Sequence, residues 1–324
     1  MTMTAEFSHS PTVSVVIPAF NSALFLASAI QSVIDQTQPP AEIIVVDDGS
    51  TDGTKDVLLS FGKTIKILTH SANRGLPAAR NSGIAASIGD IVAFLDADDV
   101  WCPEMIERQS AEFRASSKLG LCYTSLIDCD ENLKPLSGPR AFRRRDNEWV
   151  FGELYLNAFP MPPSTVFVRG SVFEEVGFFN ESMLKKQDIE CWLRITMEFA
   201  ISCIPEPLCL RRIHKASLTQ DGNIRRNLYF ESRVFELCAD AATRRGHFLP
   251  MSVEKRKILS LRRRLRQLLS YGNLDAAGVY REALRQSGGL TMSDRILDPL
   301  LVTAARLRTR LRSVLRVIHH GTRS

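Results

Sequence analysis

The sequence predicts an α/β protein, a mostly parallel, Rossmann-like doubly wound sheet followed by a basic helical C-terminal extension. Three observations predict it. From Val13 to about Thr124, β-branched runs alternate with segments of helical apolar spacing. Polar clusters fall directly after three of those runs, where open α/β sheets bind their ligands. The charge also divides along the chain: residues 1–224 hold 20 Lys and Arg against 28 Asp and Glu, whereas residues 225–324 hold 21 against 8. An acidic front and a strongly basic tail, within a net charge of +5, imply two functions in one chain.

VSVVI (13–17) is a β-branched run of the kind buried on both faces of a sheet. Ser22 is placed to N-cap a helix whose apolar positions Ala23, Leu26, Ala27, Ile30, Val33 and Ile34 follow helical spacing, and Pro39-Pro40 ends it. EIIVVD (42–47) is the second strand, DGSTDGT (48–54) a turn and 55–60 a short helix. TIKIL (64–68) is the third strand, a helix over 76–88 stops at Gly89, and DIVAFLD (90–96) is the fourth strand. Beyond Trp101 the alternation weakens into a mixed extension of the sheet. LGLCYTSLID (119–128), PPSTVFV (162–168) and EPLCLRRI (206–213) read as strands, DENLKPLSGP as a hairpin or loop, and about 188–199 as a helix. From Asn223 the chain turns helical and basic, dominated by KRKILSLRRRLRQLL (255–269) and LLVTAARLRTRLRSVLRVI (300–318).

A hydrophobic content of 44% and a charged content of 24% are those of a soluble globular chain. The seven cysteines show no CxxC pair or metal-ligand spacing and read as free thiols of a reducing compartment. MTMTAEFSHSPT lacks the basic and apolar regions of a secretory signal, and no apolar run approaches the ~18 residues of a spanning helix. A cytoplasmic location is expected.

VAFLDADDVW (92–101) ends an apolar strand on three carboxylates within four positions. At an effective dielectric of about 20, two unit charges ~4 Å apart repel by about 4 kcal/mol. Side chains alternate along a strand, so Asp96 and Asp98 point to one side and can embrace a hard cation, Mg²⁺ or Mn²⁺. Taken alone, the stretch is an Asp-rich turn capping a helix near Pro103; beside the other polar strand ends it reads as a metal site. DDGSTDGT (47–54) is either a turn with a helix capped by Asp52, or a turn presenting a carboxylate to a base or ribose.

VSVVIPAFNSALFLASAIQSVIDQTQPPAEIIVVDDGSTDGT, NRGLPAARNSGIAASIGDIVAFLDADDVW, VGFFNESMLKKQDIECWLRI and PEPLCLRRIHKASLT together resemble glycosyltransferase family 2 over roughly Val13 to Thr219. The resemblance implies a GT-A fold, a nucleotide diphosphate sugar donor (UDP-linked by expectation), a divalent metal and inversion at the anomeric carbon. It places Pro18, Phe20 and Asp48 around the nucleoside, with Asp47 close by and Arg80 near the nucleotide or its phosphates. Phe20 stands where the family usually has Tyr. Asp96, with Ala97, would serve the ribose and donor, Asp96 and Asp98 the metal, with Asp99 assisting.

The acceptor hydroxyl must lose a proton, and Asp188 matches the family's base position, although an Asp at a helix start is also an ordinary N-cap. Gln187 departs from the acid usual before that base. His214 either approaches the metal and diphosphate, as in the family, or is a structurally bonded imidazole. Trp192 walls the acceptor pocket or joins the core. The implied organisation is a polar tail over 1–12, a GT-A domain over 13–222 (donor side 13–101, acceptor side 102–222) and a basic helical region over 223–324.

The acceptor is expected to be a glycan or a lipid-linked sugar, as in cell-surface polysaccharide or lipopolysaccharide-type synthesis. No QxxRW motif of processive synthases is present, so one sugar per encounter is expected. In 300–318, Leu300, Leu307, Leu311, Leu315 and Ile318 share one face while Arg308, Arg312 and Arg316 line another. Such a helix either lies on an anionic membrane surface, making the protein peripheral on the inner face of the cytoplasmic membrane, or packs on the catalytic domain. No nucleic-acid partner is expected, because aromatics to stack bases are nearly absent there. Two alternatives stand beside the enzyme: a non-catalytic nucleotide-sugar-binding scaffold, and a haloacid-dehalogenase-like phosphatase, whose D-x-D strand would normally open the domain rather than come fourth.

Overall fold

The structure, a computed structural model, describes residues 10–140, 150–157, 161–214, 223–270 and 273–289. These fall into two compact units, one of the described residues up to 214 together with Asp240–Phe248, the other of 223–239 and 249–289.

The first unit is built on one sheet. Its strands are β1 (Val13–Ala19), β2 (Glu42–Asp47), β3 (Lys66–Thr69), β4 (Ile91–Phe94), β5 (Val100–Trp101), β6 (Leu119–Cys129), β7 (Val166–Arg169) and β8 (Ala200–Arg212), in the spatial order β3-β2-β1-β4-β7-β6-β8-β5. β1 to β4 are parallel; β7 is antiparallel to both β4 and β6, and β8 is parallel to β6. β6 and β8 therefore run with β1 to β4, and the carboxyl ends of all of them share one rim. The helices of this unit are α1 (Leu26–Ile34), α2 (Thr54–Ser60), α3 (Leu76–Ala86), α4 (Met105–Ala115), α5 (Val150–Asn157), α6 (Gly170–Val176) and α7 (Gln187–Glu198).

β2 and β3 lie on one side of β1 and β4 on the other, which makes the β1/β4 boundary the topological switch point. β1 stays paired with β2 as far as Ala19↔Asp47, but its pairing with β4 ends at Val16↔Phe94, with Leu95 N–H donating to Val16 O at 3.1 Å. Backbone groups alternate sides along a strand, so Pro18, two residues after Val16, turns its hydrogen-free nitrogen toward the side where β4 has stopped. A proline is tolerated in this central strand because no partner is missed there. The chain thereby opens a crevice between the two carboxyl ends.

The main core lies between the sheet and α1 and α4, where Val15, Ile17, Ile30, Val33, Ala93 and Met105 are fully buried. Across the sheet, α3 sits so close to β1 that a Cβ on Gly83 would lie 2.3 Å from Val16 Cγ1. All seven cysteines are free.

Several expectations are corrected. Ser22 does not cap α1, which starts at Leu26; its hydroxyl bonds to Phe20, and its carbonyl accepts from Phe25 and Leu26 in a preceding turn. PPSTVFV splits into a 3-10 turn, Pro163–Thr165, and β7, because prolines cannot donate to a ladder. β5, α5 and α6 were not anticipated; two to eight residues are too few for an apolar period to register.

The second unit contains α9 (Val253–Ser270), α10 (Leu274–Gln286) and part of α8 (Ile224–Arg245). Segment 300–318 lies outside the described residues, among which no helix is long and apolar enough to cross a membrane.

Candidate active site

The loops leaving β1, β2 and β3 are tied to one another. Asn21, held at φ 48°, donates its N–H to Ser50 Oγ at 2.9 Å and accepts from Thr51 N–H at 2.8 Å through Oδ1. Ser22 N–H donates to Thr54 Oγ1 at 2.8 Å. Asp52 does not cap α2 from the cap position, which Gly53 occupies, but accepts from the Thr54 N–H at 3.0 Å. Gly49, at φ +76°, lets Ala72 approach to where any Cβ would meet its carbonyl carbon at 2.7 Å.

Asp47 and Asp48 are both buried at the end of β2. Asp47 Oδ1 accepts from Ser50 N–H at 2.9 Å. Asp48 accepts the N–H groups of Arg74 at 2.9 Å and Gly75 at 2.8 Å, and its Oδ1 lies 2.6 Å from His70 Nδ1, whose Nε2 is 2.9 Å from Ser82 Oγ. Asp48 thus fixes the β3–α3 loop, and one lone pair of Oδ2 is left for a ligand. Phe20 projects from the end of β1 with 46% of its surface exposed, an apolar platform beside these carboxylates.

Arg80 on α3 is 1% exposed and donates from Nη2 to Asp96 Oδ1 at 2.6 Å. Its guanidinium lies 5.5 Å from the Phe179 ring centroid. Among the described residues its Nε and Nη1 are buried with no hydrogen-bond partner, which leaves two donors open to solvent or a ligand.

The DADD stretch forms a turn, with Asp99 N–H donating to Asp96 O at 3.1 Å. It does not cap α4, whose cap position is Glu104. Asp98 Oδ2 is 2.9 Å from His214 Nε2, so the structure brings the carboxylate and the imidazole together. Burial, then the charge of Asp96, push the Asp98 carboxyl above its ordinary range, against the pull of His214. Asp99 is turned inward: its oxygens accept from Ser164 Oγ at 2.5 Å and Arg212 N–H at 3.0 Å, and burial with the two neighbouring carboxylates raises it well above the usual range. Its engagement with protein donors corrects the expected assistance to a cation. Ala97 is buried in the main core, so its methyl group is not presented at the rim.

Arg212 was not anticipated as a site residue. Its Nη1 donates to Asp98 O at 2.7 Å, Nη2 to Ser28 Oγ at 3.0 Å and Nε to Glu131 O at 3.2 Å, and its guanidinium stacks 4.8 Å from the Phe25 ring centroid. Phe25 in turn packs on His214, centroids 5.0 Å apart. One arginine of β8 thus ties α1, the DADD turn and the loop after β6 together beside Asp98 and His214.

Asp188 lies in the first turn of α7, half-buried, but the cap position is Lys186 at φ 61°, and the Asp188 carboxylate makes no hydrogen bond or ion pair among the described residues. The capping alternative is therefore removed. Asn81 steadies the approach to it, accepting from Phe179 N–H at 2.9 Å and donating to Phe179 O at 2.9 Å, while Arg194 clamps the carbonyls of Val176, Gly177 and Phe178. Trp192 is fully buried against Phe94 and Phe179 and donates Nε1–H to Met161 O at 3.0 Å. It is core, and the expected acceptor-pocket wall is corrected.

A family model described as glycosyl transferase family 2 matches residues 14–174. An uncharacterised glycosyltransferase of Rickettsia prowazekii is 32% identical over 217 residues, covering 65% of this chain and 67% of that protein. The UDP-Glc:alpha-D-GlcNAc-diphosphoundecaprenol beta-1,3-glucosyltransferase WfgD of Escherichia coli is 37% identical over 98 residues, 30% of this chain and 39% of that one. Among solved structures, S. aureus TarS 1–349 in complex with UDP-GlcNAc has the same fold, with a TM-score of 0.62 at 17% identity over 96% of this chain and 92% of that one. Rim, motifs and likenesses agree: the chain belongs to glycosyltransferase family 2, a glycosyltransferase of the GT-A fold.

Proposed function

We propose that the chain transfers one sugar, with inversion, from a UDP-linked donor held by residues 13–101 to a glycan or lipid-linked acceptor facing residues 102–222, in cell-surface polysaccharide synthesis. The observation that carries this is the half-satisfied, buried Arg80 beside Asp96 and Asp98 at the switch point. A diphosphate there would complete the guanidinium's bonds, with Phe20 beneath the base and Asp47, Asp48 and Pro18 framing the nucleoside. The UDP of the TarS complex and the UDP-glucose named for WfgD support the choice of nucleotide.

The residues suit a hard divalent cation. Among the described residues no group of three or more His, Cys, Asp or Glu is placed to hold a metal ion, so a cation here would depend on diphosphate and water for most of its ligands. Asp98 and His214, with Asp96 adjoining, would hold Mn²⁺ or Mg²⁺, and the bound ion would neutralise charge on the departing diphosphate. Arg80 stabilises the same charge from the protein side. Asp188 accepts the acceptor's hydroxyl proton as that oxygen bonds to the anomeric carbon; the sugar–phosphate bond breaks and UDP leaves with the electron pair. The carboxylate of Asp188, unpaired among the described residues, supports this role, and Gln187 beside it adds no second charge.

The test combines binding and turnover. UDP with Mn²⁺ should raise the melting temperature of both the wild type and Asp188→Asn, by linkage. Release of UDP in the transfer assay should fall about 10²–10⁴-fold in the variant alone. Undiminished transfer by Asp188→Asn overturns the base assignment, and no thermal shift with any nucleotide overturns the donor reading.

A further inference from the structure

The second unit carries a basic surface that the reading of the active site does not involve. Among its described residues twelve Lys and Arg stand against five Asp and Glu, an excess of +7. α9 alone bears seven of those cations and one acid, Glu254. Three of the five acids are already engaged inside the unit. Glu236 pairs with Lys257 at 2.5 Å and Arg233 at 2.9 Å, Glu282 with Arg285 at 2.7 Å, and Glu231 accepts from Ser260 and Tyr280. Lys255, Arg263, Arg264 and Arg266 lie on the exposed side of α9, and Arg264 donates to Gln267 at 2.7 Å and bonds Tyr280, neither of which carries a negative charge.

The apolar side of α9 is spoken for. Leu261, Leu265, Leu268 and Leu269 are buried with Ala276, Ala277, Tyr280 and Leu284 of α10. A helix that lies in a membrane interface does so by sinking its apolar face among the acyl chains. α9 has no such face to give. It also carries no aromatic side chain on which a nucleobase could stack.

We propose that the exposed basic face of α9 docks on anionic phospholipid headgroups by charge alone, with no helix face inserted into the bilayer. The inference stands apart from the reading of the active site, although a lipid-linked acceptor would give the docking a purpose. Each basic side chain near such a surface strengthens binding about fivefold, and the attraction decays within a Debye length.

The test is cosedimentation of the full chain with vesicles of equal parts phosphatidylglycerol and phosphatidylcholine, and with phosphatidylcholine alone. Binding is expected to the first only, to weaken about a hundredfold in R263Q/R264Q/R266Q, and to vanish near 0.5 M salt. The variant should keep the wild-type melting temperature and UDP-releasing activity, which separates lost docking from lost folding or a failed catalytic assignment. Binding that survives high salt, or that drops less than tenfold in the triple variant, overturns the proposal. So does equal binding to phosphatidylcholine, or tighter binding to a single-stranded RNA than to the anionic vesicles at matched ionic strength.

Discussion

Arg212→Ala is expected to damage the protein more than a surface arginine would. Truncation removes three side-chain hydrogen bonds, to Asp98 O, Ser28 Oγ and Glu131 O, from a buried cation. Charged donors contribute about 1.5 kcal/mol each, the low end of their range, because one of these bonds is long. The stacking on Phe25 at 4.8 Å adds about 1 kcal/mol. The total is roughly 5 kcal/mol, comparable to the whole stability of a marginal domain. Arg212→Lys keeps the charge but reaches fewer partners and should lose about half as much. Urea unfolding followed by tryptophan fluorescence measures this; at about 2 kcal/mol per molar of urea, the lysine variant's midpoint should fall by about 1 M. The Mn²⁺-dependent thermal shift with UDP should shrink in the same variant, because the Asp98 carbonyl loses its anchor. A loss below about 1 kcal/mol in the alanine variant would refute the claim that Arg212 holds the rim together.

Trp192→Ala should cost about 3–5 kcal/mol, while Trp192→Phe leaves the acceptor KM unchanged; an altered KM in the phenylalanine variant would return Trp192 to the pocket. Gly83→Ala should destabilise by about 1–3 kcal/mol, since its Cβ would stand 2.3 Å from Val16 Cγ1, and Val16→Ala in the same chain should recover part of the loss in a thermal melt. Burial, opposed by nearby Arg194, pushes the Cys191 thiol up to about 12, so iodoacetamide at pH 8 should leave it unlabelled in the native protein by mass spectrometry and label it once urea unfolds the chain.

The chain as far as Trp101 was largely legible in the sequence. Its strands are short β-branched runs, its polar clusters follow them directly, and each cluster is contiguous in the chain. What escaped were residues whose partners lie far along it. Arg212 meets Asp99 from 113 positions away, and Ser164 meets it from 65. Neither carries a local signal beyond its charge or hydroxyl. Trp192 was ambiguous because an aromatic on a helix beside a site has the same spacing whether it faces core or substrate. Asp188 was ambiguous for the opposite reason: a helix start suits a cap as well as a base, and the position of Lys186 takes only the cap away. The short elements β5 and α6 owe their existence to pairing and packing that no local period announces.

The interlock of Asn21 with Ser50 and Thr51, and of Asp48 with Arg74 and Gly75, has a consequence for how such chains diversify. Loops that share hydrogen bonds cannot drift one at a time, because each substitution orphans a partner in another loop. The same holds beyond Trp101, where Ser164, Arg212 and His214 share bonds with the DADD turn. A segment grafted there between relatives should therefore keep the rim only if it carries those three residues with it.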